Sequence, residues 1–435
     1  MIVLILVIFS FFRYQEGSLA IPSITDLKDT VYGAINNDDN PPISTAAPTT
    51  AAPSTPTATT GAPSSTAPPN TASPTPAPTF PPKPTDLLPY DYVMAGNSAA
   101  HTNQSANDLP PTPSLLWSYD LSSSPNNLAE PAVGYGNAYI YADNGILSCI
   151  DIESGLLVWE QDVPGTHYHT PALGNGTVYV STSEGVFSFN AATGTPQWSY
   201  ESISCPSIDP MFWSLPSVEQ VLYCAGDKVA ALDPSTGTLL WSYVLPGEAR
   251  SSPSMGYDSS AGTSVILVAT SSHLHVIDKD DGSPIKTIAV SSPTNVMSVF
   301  DIWYVNSGGG IVEFFNSGSI NAIAQPSNPS ITSGASATAT DTPMEYYYYS
   351  ADGHLYYMLV GASQVWKEYI GDDLVNGPLI GMNNVYLSFS DGTARSYSRF
   401  TGDLSWSMQL VHPADFCLAH DRLFVVSGGL LTCYG

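Results

Sequence analysis

Basic residues and cysteines are scarce in this chain. Of its 435 residues only 11 are Lys or Arg, against 38 Asp or Glu, and the formal charge is -27. A surface that reads phosphates needs clustered basic side chains to displace counterions, so nucleic acid and anionic membrane surfaces are excluded as partners. Five cysteines are too few for a disulfide scaffold, and no Cys-x-x-Cys pair is present to hold zinc, an iron-sulfur cluster or covalent haem. The apolar run from Ile2 to Phe12 is too short to cross a bilayer as a helix. With 37 Pro and 34 Gly an all-helical fold is excluded as well, although a hydrophobic share of 43% is enough for a large core.

The two ends differ in character. Residues 1–20 read as a secretory signal, with the small residues Ser18-Leu19-Ala20 where a signal peptidase would cut. No cysteine precedes Cys149, so no lipid-attachment residue follows the apolar run. A short acidic segment, 21–40, leads into 41–86, which is almost entirely Pro, Thr, Ser and Ala. With no apolar face to bury, such a stretch does not fold by itself. As polyproline II, at ~3.1 Å per residue, it reaches on the order of 140 Å. It reads as an O-glycosylated stalk or a bare linker. Sequons at Asn103-Gln-Ser105 and Asn175-Gly-Thr177 make Asn103 and Asn175 candidate N-glycan acceptors.

From Asp86 onward the sequence repeats at intervals near 40 residues. A Gly followed four residues later by Trp occurs as Gly155/Trp159, Gly194/Trp198, Gly237/Trp241 and Gly402/Trp406, with Gly282/Lys286 and the looser Gly361/Trp366 in phase. Before each of the regular pairs stands a turn such as Asp151-Ile-Glu-Ser154 or Asp233-Pro-Ser-Thr236, in which Asp or Asn accepts backbone amides and Gly closes the turn at positive φ. Upstream lie β-branched and aromatic runs such as Asn137–Asp143 and Ile146–Ile150, and units open with Pro-x-x-Gly at 131–134, 171–174, 253–256 and 378–381. Four antiparallel strands per unit make a propeller blade. The expected fold is therefore all-β, an eight-bladed propeller over 87–435, with seven blades as the alternative. The C-terminal unit lacks its outer strand, and Ser114-Leu-Leu-Trp117-Ser-Tyr has the form of that strand, so the N-terminus is expected to close the ring and remove its open edges.

This repeat, clearest from Val221 to Trp241, resembles the pyrroloquinoline-quinone-like propellers. That family includes quinoprotein dehydrogenases and non-catalytic scaffolds such as the outer-membrane assembly lipoprotein, so the resemblance implies the fold and leaves function open. A dehydrogenase of this type is implied to hold its quinone beside adjacent cysteines, with basic residues on the quinone carboxylates and Glu, Asn and Asp on calcium. Here no Cys-Cys pair occurs and basic residues are sparse, so no cofactor is expected. The favoured reading is a secreted or cell-surface, non-catalytic scaffold on a glycosylated stalk. It would bind a protein or glycan partner or assemble with its own copies in an extracellular matrix or filament. The alternative is a divergent quinoprotein oxidoreductase.

Candidate sites follow from the architecture. The connections into the innermost strands gather at one mouth of the central channel and carry Glu130, His169, Arg250, Asp372, Asp373 and Asp415, a mainly acidic rim. Asp278-Lys-Asp280-Asp281-Gly resembles the start of a calcium loop but has the phase of the hairpin turns and no following bidentate Glu. His167/His169 and His273/His275 each place two imidazoles on one side of a strand without an identifiable third ligand, so no metal is expected. Cys205 and Cys224 flank one crossover and strand of the third unit and are the expected disulfide, while Cys149, Cys417 and Cys433 read as small core residues.

Overall fold

The computed structural model describes residues 82–435 apart from the short segments 123–128, 166–168, 206–208, 216–218, 300, 308–309, 316–319, 325–335, 338–344, 351–352, 360–362, 372–373 and 411. The signal segment, the acidic segment and the stalk up to residue 81 lie outside the described residues. The chain divides into two units between Thr79 and Phe80. Lys83, read from sequence as stalk, is already part of the second unit, where its ammonium bonds the Gly136 carbonyl and pairs with Asp151.

Eight four-stranded antiparallel sheets make up this unit among the described residues. Seven are consecutive in sequence: blade 1 (132–162), blade 2 (172–200), blade 3 (211–244), blade 4 (254–289), blade 5 (293–324), blade 6 (336–369) and blade 7 (374–409). Blade 8 is composite: Leu115–Asp120 pairs with Leu430–Tyr434, with Trp117 opposite Cys433 and Asp120 opposite Leu430. The innermost strands of blades 1 and 2, 2 and 3, 4 and 5, 6 and 7, and 7 and 8 touch one another, which arranges the sheets around a centre. Eight blades, closed by the N-terminal strand, is thus the observed architecture.

Burial explains why the strands read as they do. Middle strands such as Asn137–Tyr141 and Thr177–Thr182 are buried along their whole length because each sheet is covered on both faces by its neighbours. Outer strands such as Leu239–Val244 alternate instead, with only every second side chain turned inward. Between blades 4 and 5, Val265, Leu267 and Ala269 pack against Val296, Trp303 and Val305. Each such large aliphatic side chain contributes roughly 1.5–3 kcal/mol on burial.

The Gly-x-x-x-Trp repeat locks one blade to the next. The indole N–H of Trp159 donates to the Ala191 carbonyl in the following blade at 3.0 Å, and its ring lies over Gly194. Trp117, Trp198, Trp241 and Trp366 do the same with the carbonyls of Ile152, Pro234, Lys279 and Arg399. Each acceptor is the residue after the Asp, Asn or Ser that opens a turn, so turn chemistry and inter-blade packing share one motif. The Asp278 turn belongs to this series: its carboxylate accepts the Asp280 amide at 2.8 Å, and its next carbonyl receives Trp241.

The expected Cys205–Cys224 disulfide is not formed, and all five cysteines are free and buried. Both thiols sit inside one apolar cluster with Met211, Tyr223 and Ile203, where they pack as small apolar side chains. Burial pushes Cys205 up to about 12 and raises Cys224 further, which keeps both in the unreactive thiol form.

Candidate functional site

The centre of the ring is not open. Residues 88–109 enter it as a looped segment whose backbone pairs with the free edges of the innermost strands. Tyr92 exchanges both backbone bonds with Val133 of blade 1, at 2.9 and 2.6 Å. The amides of Leu173, Met255, Ser298 and Ile380 donate to the carbonyls of Val93, Ala99, Ala100 and Asn103, at 2.8, 2.6, 3.0 and 2.9 Å. Val133, Leu173, Met255 and Ile380 occupy one repeat position, the residue before Gly in Pro-x-x-Gly, so the opening motif of the repeat supplies the donors that hold the segment. The two legs are tied together by Asn103 N–H to the Gly96 carbonyl at 2.9 Å and by the Asn107 side-chain amide to the Tyr90 carbonyl at 3.0 Å. At its exit, Asp108 accepts bonds from the Asn383 amide and the Tyr386 hydroxyl at 2.6 and 2.8 Å. We refer to 88–109 as the plug.

The plug meets the acidic rim at its tip. The Tyr92 hydroxyl lies 2.9 Å from Asn103 Oδ1 and 3.1 Å from Glu130 Oε2, and the Gly96 amide also bonds the Glu130 carboxyl. Asp209, which leads into blade 3, accepts the Thr170 amide at 2.9 Å and the Ser252 hydroxyl at 3.0 Å, and stands 3.9 Å from His169 Nδ1. His101 Nε2 lies 2.8 Å from the Pro253 carbonyl. Glu130 and Asp415 are half-buried. Burial, helped by the negative charge of Asp209, pushes the Glu130 carboxyl up to about 8. Burial and then the Glu130 charge push Asp415 well above the usual carboxylate range. Burial lowers His101 against the opposing bond to Pro253, so its imidazole is held neutral.

Of the six expected rim residues, Glu130, His169 and Asp415 line this inner site. Arg250 is exposed and stands outside it, its backbone amide bonded to the Ala269 carbonyl, while Asp372 and Asp373 lie outside the described residues. The sequence reading missed Asp209, which stands directly before a unit's opening proline as Glu130 does, and it missed Tyr92 and His101 altogether. A signal existed in the repeat itself: an innermost strand with a free edge needs a partner, and only 87–114 was left unassigned. Asn103 is half-buried, its side-chain amide donating to the Pro378 carbonyl at 2.7 Å. Asn175 is exposed at the turn leading out of the innermost strand of blade 2. The His273/His275 pair is on blade 4, where His275 is buried beside Thr270 and Tyr243. No group of three metal-ligating side chains converges among the described residues.

The channel does not fit a quinone cofactor of the kind the resemblance implies. The plug backbone already fills the strand edges at the centre, and the cysteines are buried in the blades and not adjacent. Among the described residues no helix is long and apolar enough to cross a membrane.

Comparison with known proteins agrees with the architecture. The family model described as outer membrane protein assembly factor BamB matches residues 106–266 and 221–358, together more than half of the chain. Outer membrane protein assembly factor BamB of Moranella endobia is 24% identical over 227 residues, which are 48% of this chain and 54% of that protein. The Nitrosomonas eutropha protein of the same name is 32% identical over 92 residues, 20% of this chain and 22% of the relative. The chain thus spans about half the length of the first relative and less of the second. Among solved structures, BamB from Moraxella catarrhalis superposes with a TM-score of 0.55 at 16% identity, over 74% of this chain and 97% of that one. The quinohemoprotein alcohol dehydrogenase of Comamonas testosteroni superposes with a TM-score of 0.60 at 14% identity, over 79% and 80% of the two chains. At these identities the superpositions speak for the fold alone, a β-propeller, but the family match goes further: the chain belongs to the outer membrane protein assembly factor BamB family of PQQ-like repeat propellers.

Proposed function

We propose that this protein is a non-catalytic propeller scaffold working outside the cytoplasm. The observation that carries this is the plug: the place where side chains from many blades converge is occupied by the chain's own backbone and ringed by carboxylates. The name of its relatives, an assembly factor, points to protein partners. In finer detail, the head is carried on an O-glycosylated stalk at 41–86 on a secreted or surface-displayed chain. The outer rim, with exposed Arg250, meets a protein or glycan partner or another copy. Of the two sequons, Asn175 is the one we assign as glycan acceptor, because it is exposed at a turn whereas Asn103 is half-buried within the plug.

The decisive experiment adds pyrroloquinoline quinone and calcium to the purified protein and follows quinone-dependent dye reduction. No turnover is expected, and stoichiometric quinone uptake with turnover would replace the scaffold by an oxidoreductase. Intact-mass analysis of secreted material before and after glycosidase treatment tests the finer reading. Glycan mass is expected on 41–86 and on Asn175, and a glycan on Asn103 would overturn the assignment of the acceptor.

A further inference from the structure

Asn-Gly pairs stand at Asn144-Gly145, Asn175-Gly176 and Asn376-Gly377, and the fold treats the last of them differently. We propose that Asn376 is a self-modifying site: the main-chain nitrogen of Gly377 closes on the Asn376 side chain to a five-membered imide, which water opens to aspartate or isoaspartate. Asn376 lies in the innermost strand of blade 7, Leu374–Ile380, where the ladder is irregular on both sides of it. Asn376 stands opposite Ser388, and the next pair is Leu379 with Tyr386. Gly377 is skipped, as happens at a bulge, and its amide donates instead to Asn376 Oδ1 at 2.5 Å. The electrophilic Cγ is one C=O bond, about 1.2 Å, from that oxygen. It therefore lies within near-attack reach of the same nitrogen. The leaving group, Asn376 Nδ2, is buried and has no hydrogen-bond partner among the described residues. A Cβ at Gly377 would stand 2.7 Å from the Tyr386 carbonyl, so packing itself keeps a glycine, and an unshielded nitrogen, after Asn376.

The other two pairs are held out of reaction. The Gly145 amide donates to the Ala142 carbonyl at 3.0 Å, while Asn144 accepts the Ile146 amide and donates to the Leu121 carbonyl, both at 3.0 Å. The Gly176 amide donates to the Tyr135 hydroxyl at 2.8 Å, and the side chains of Asn175 and Gln220 bond each other reciprocally. At Asn376 the chemistry needs only water. The Gly377 nitrogen gives its proton to hydroxide and bonds Cγ, and the tetrahedral carbon expels Nδ2, which takes a proton and leaves as ammonia. Water then adds to either imide carbonyl: breaking the new C–N bond gives aspartate, and breaking the original peptide bond gives isoaspartate. The net change is amide plus water to acid plus ammonia. Isoaspartate lengthens the main chain by one carbon just before Pro378 and Ile380, whose carbonyls accept the Asn103 side-chain amide and the Ser105 amide of the plug, each at 2.7 Å. The modification thus acts on the strand that holds the exit leg of the plug.

Peptide mapping by mass spectrometry, with fragmentation that separates aspartate from isoaspartate, tests this on the glycan-free full chain stored at neutral and mildly alkaline pH, beside the same chain in denaturant. In the native chain Asn376 is expected to convert about tenfold or more faster than Asn144 and Asn175, to yield isoaspartate together with aspartate, and to speed up as pH rises. In denaturant the three rates are expected to converge. Asn376→Gln, which permits only a six-membered ring, is expected to abolish the mass gain of its peptide and leave the other two unchanged. An unconverted Asn376 in the native chain, conversion of Asn144 or Asn175 at an equal or higher rate, or aspartate without isoaspartate would each overturn the proposal.

Discussion

Two glycines with almost the same backbone conformation separate strain from packing. Gly176 and Gly194 have φ of +68° and +70°. A Cβ at Gly176 meets nothing within 4 Å, whereas one at Gly194 would lie 2.7 Å from the Trp159 ring of the preceding blade. Replacing either by Ala places an L side chain in the left-handed region, at a cost of roughly 1–2 kcal/mol. Only Gly194→Ala also forces the indole away, and overpacking of this kind adds about 1–3 kcal/mol. The tryptophan has little freedom to move, since its N–H is tied to Ala191 and its ring is flanked by Tyr139. Denaturant unfolding of the two variants beside the parent is therefore expected to give Gly194→Ala the lower midpoint by the packing increment, with unchanged slope. Equal losses in the two variants, or a larger loss at Gly176, would refute the view that the Gly-x-x-x-Trp repeat exists to let one blade dock on the next.

Other outcomes follow from the same contacts. Trp117→Ala, in the strand that closes blade 8, should cost about 3–5 kcal/mol and lower the melting temperature sharply; an unaffected melt would mean that closure does not depend on 115–120. Lys286→Met should destabilise by about 3–5 kcal/mol at neutral pH, because it leaves the fully buried Asp258 carboxylate, 2.6 Å away, without its cation. Burial alone would raise Asp258, but bonds from Lys286 and Ser260 hold it below its ordinary 3.8, so in the parent this contribution is present above 3.8 and lost in stronger acid. A Lys286→Met penalty that stays constant from pH 7 to pH 3 would contradict that assignment.

The parts of the fold that were legible are those written in local chemistry. Asp or Asn, then Gly, then Trp specifies a turn and its docking partner within a few residues, and its recurrence in phase overcomes the weakness of any single match. The composite blade was legible for the same reason, because Trp117 has the phase of Trp159. The plug was not legible, since its bonds run through backbone amides and link residues such as Asn103 and Ile380 that are far apart in sequence. Its composition, Asn, Ser and Ala around Tyr92 and Met94, has neither the period of a strand nor that of a helix. The rim was legible in part: the connections into the innermost strands pointed to Glu130, His169 and Asp415, but not to a segment from outside the repeats lying against them. The cysteine pairing failed because placing two residues on one side of a blade does not decide whether their sulfurs face each other or the surrounding apolar cluster.

The composite blade also sets a clock on biogenesis. The strand Leu115–Asp120 has its hydrogen-bonding partner at Leu430–Tyr434, so a growing chain makes the first strand of the closing sheet and then adds some three hundred residues before the second exists. At a synthesis rate of about 5–20 residues per second, that delay is on the order of 15 to 60 seconds. Throughout it the plug and the closing strand have nowhere complete to dock, and the nascent head is an open, edge-bearing array that a chaperone or a translocation channel can hold. Anything that keeps the two ends apart, in the cell or in refolding buffer, therefore arrests the molecule one strand short of a ring.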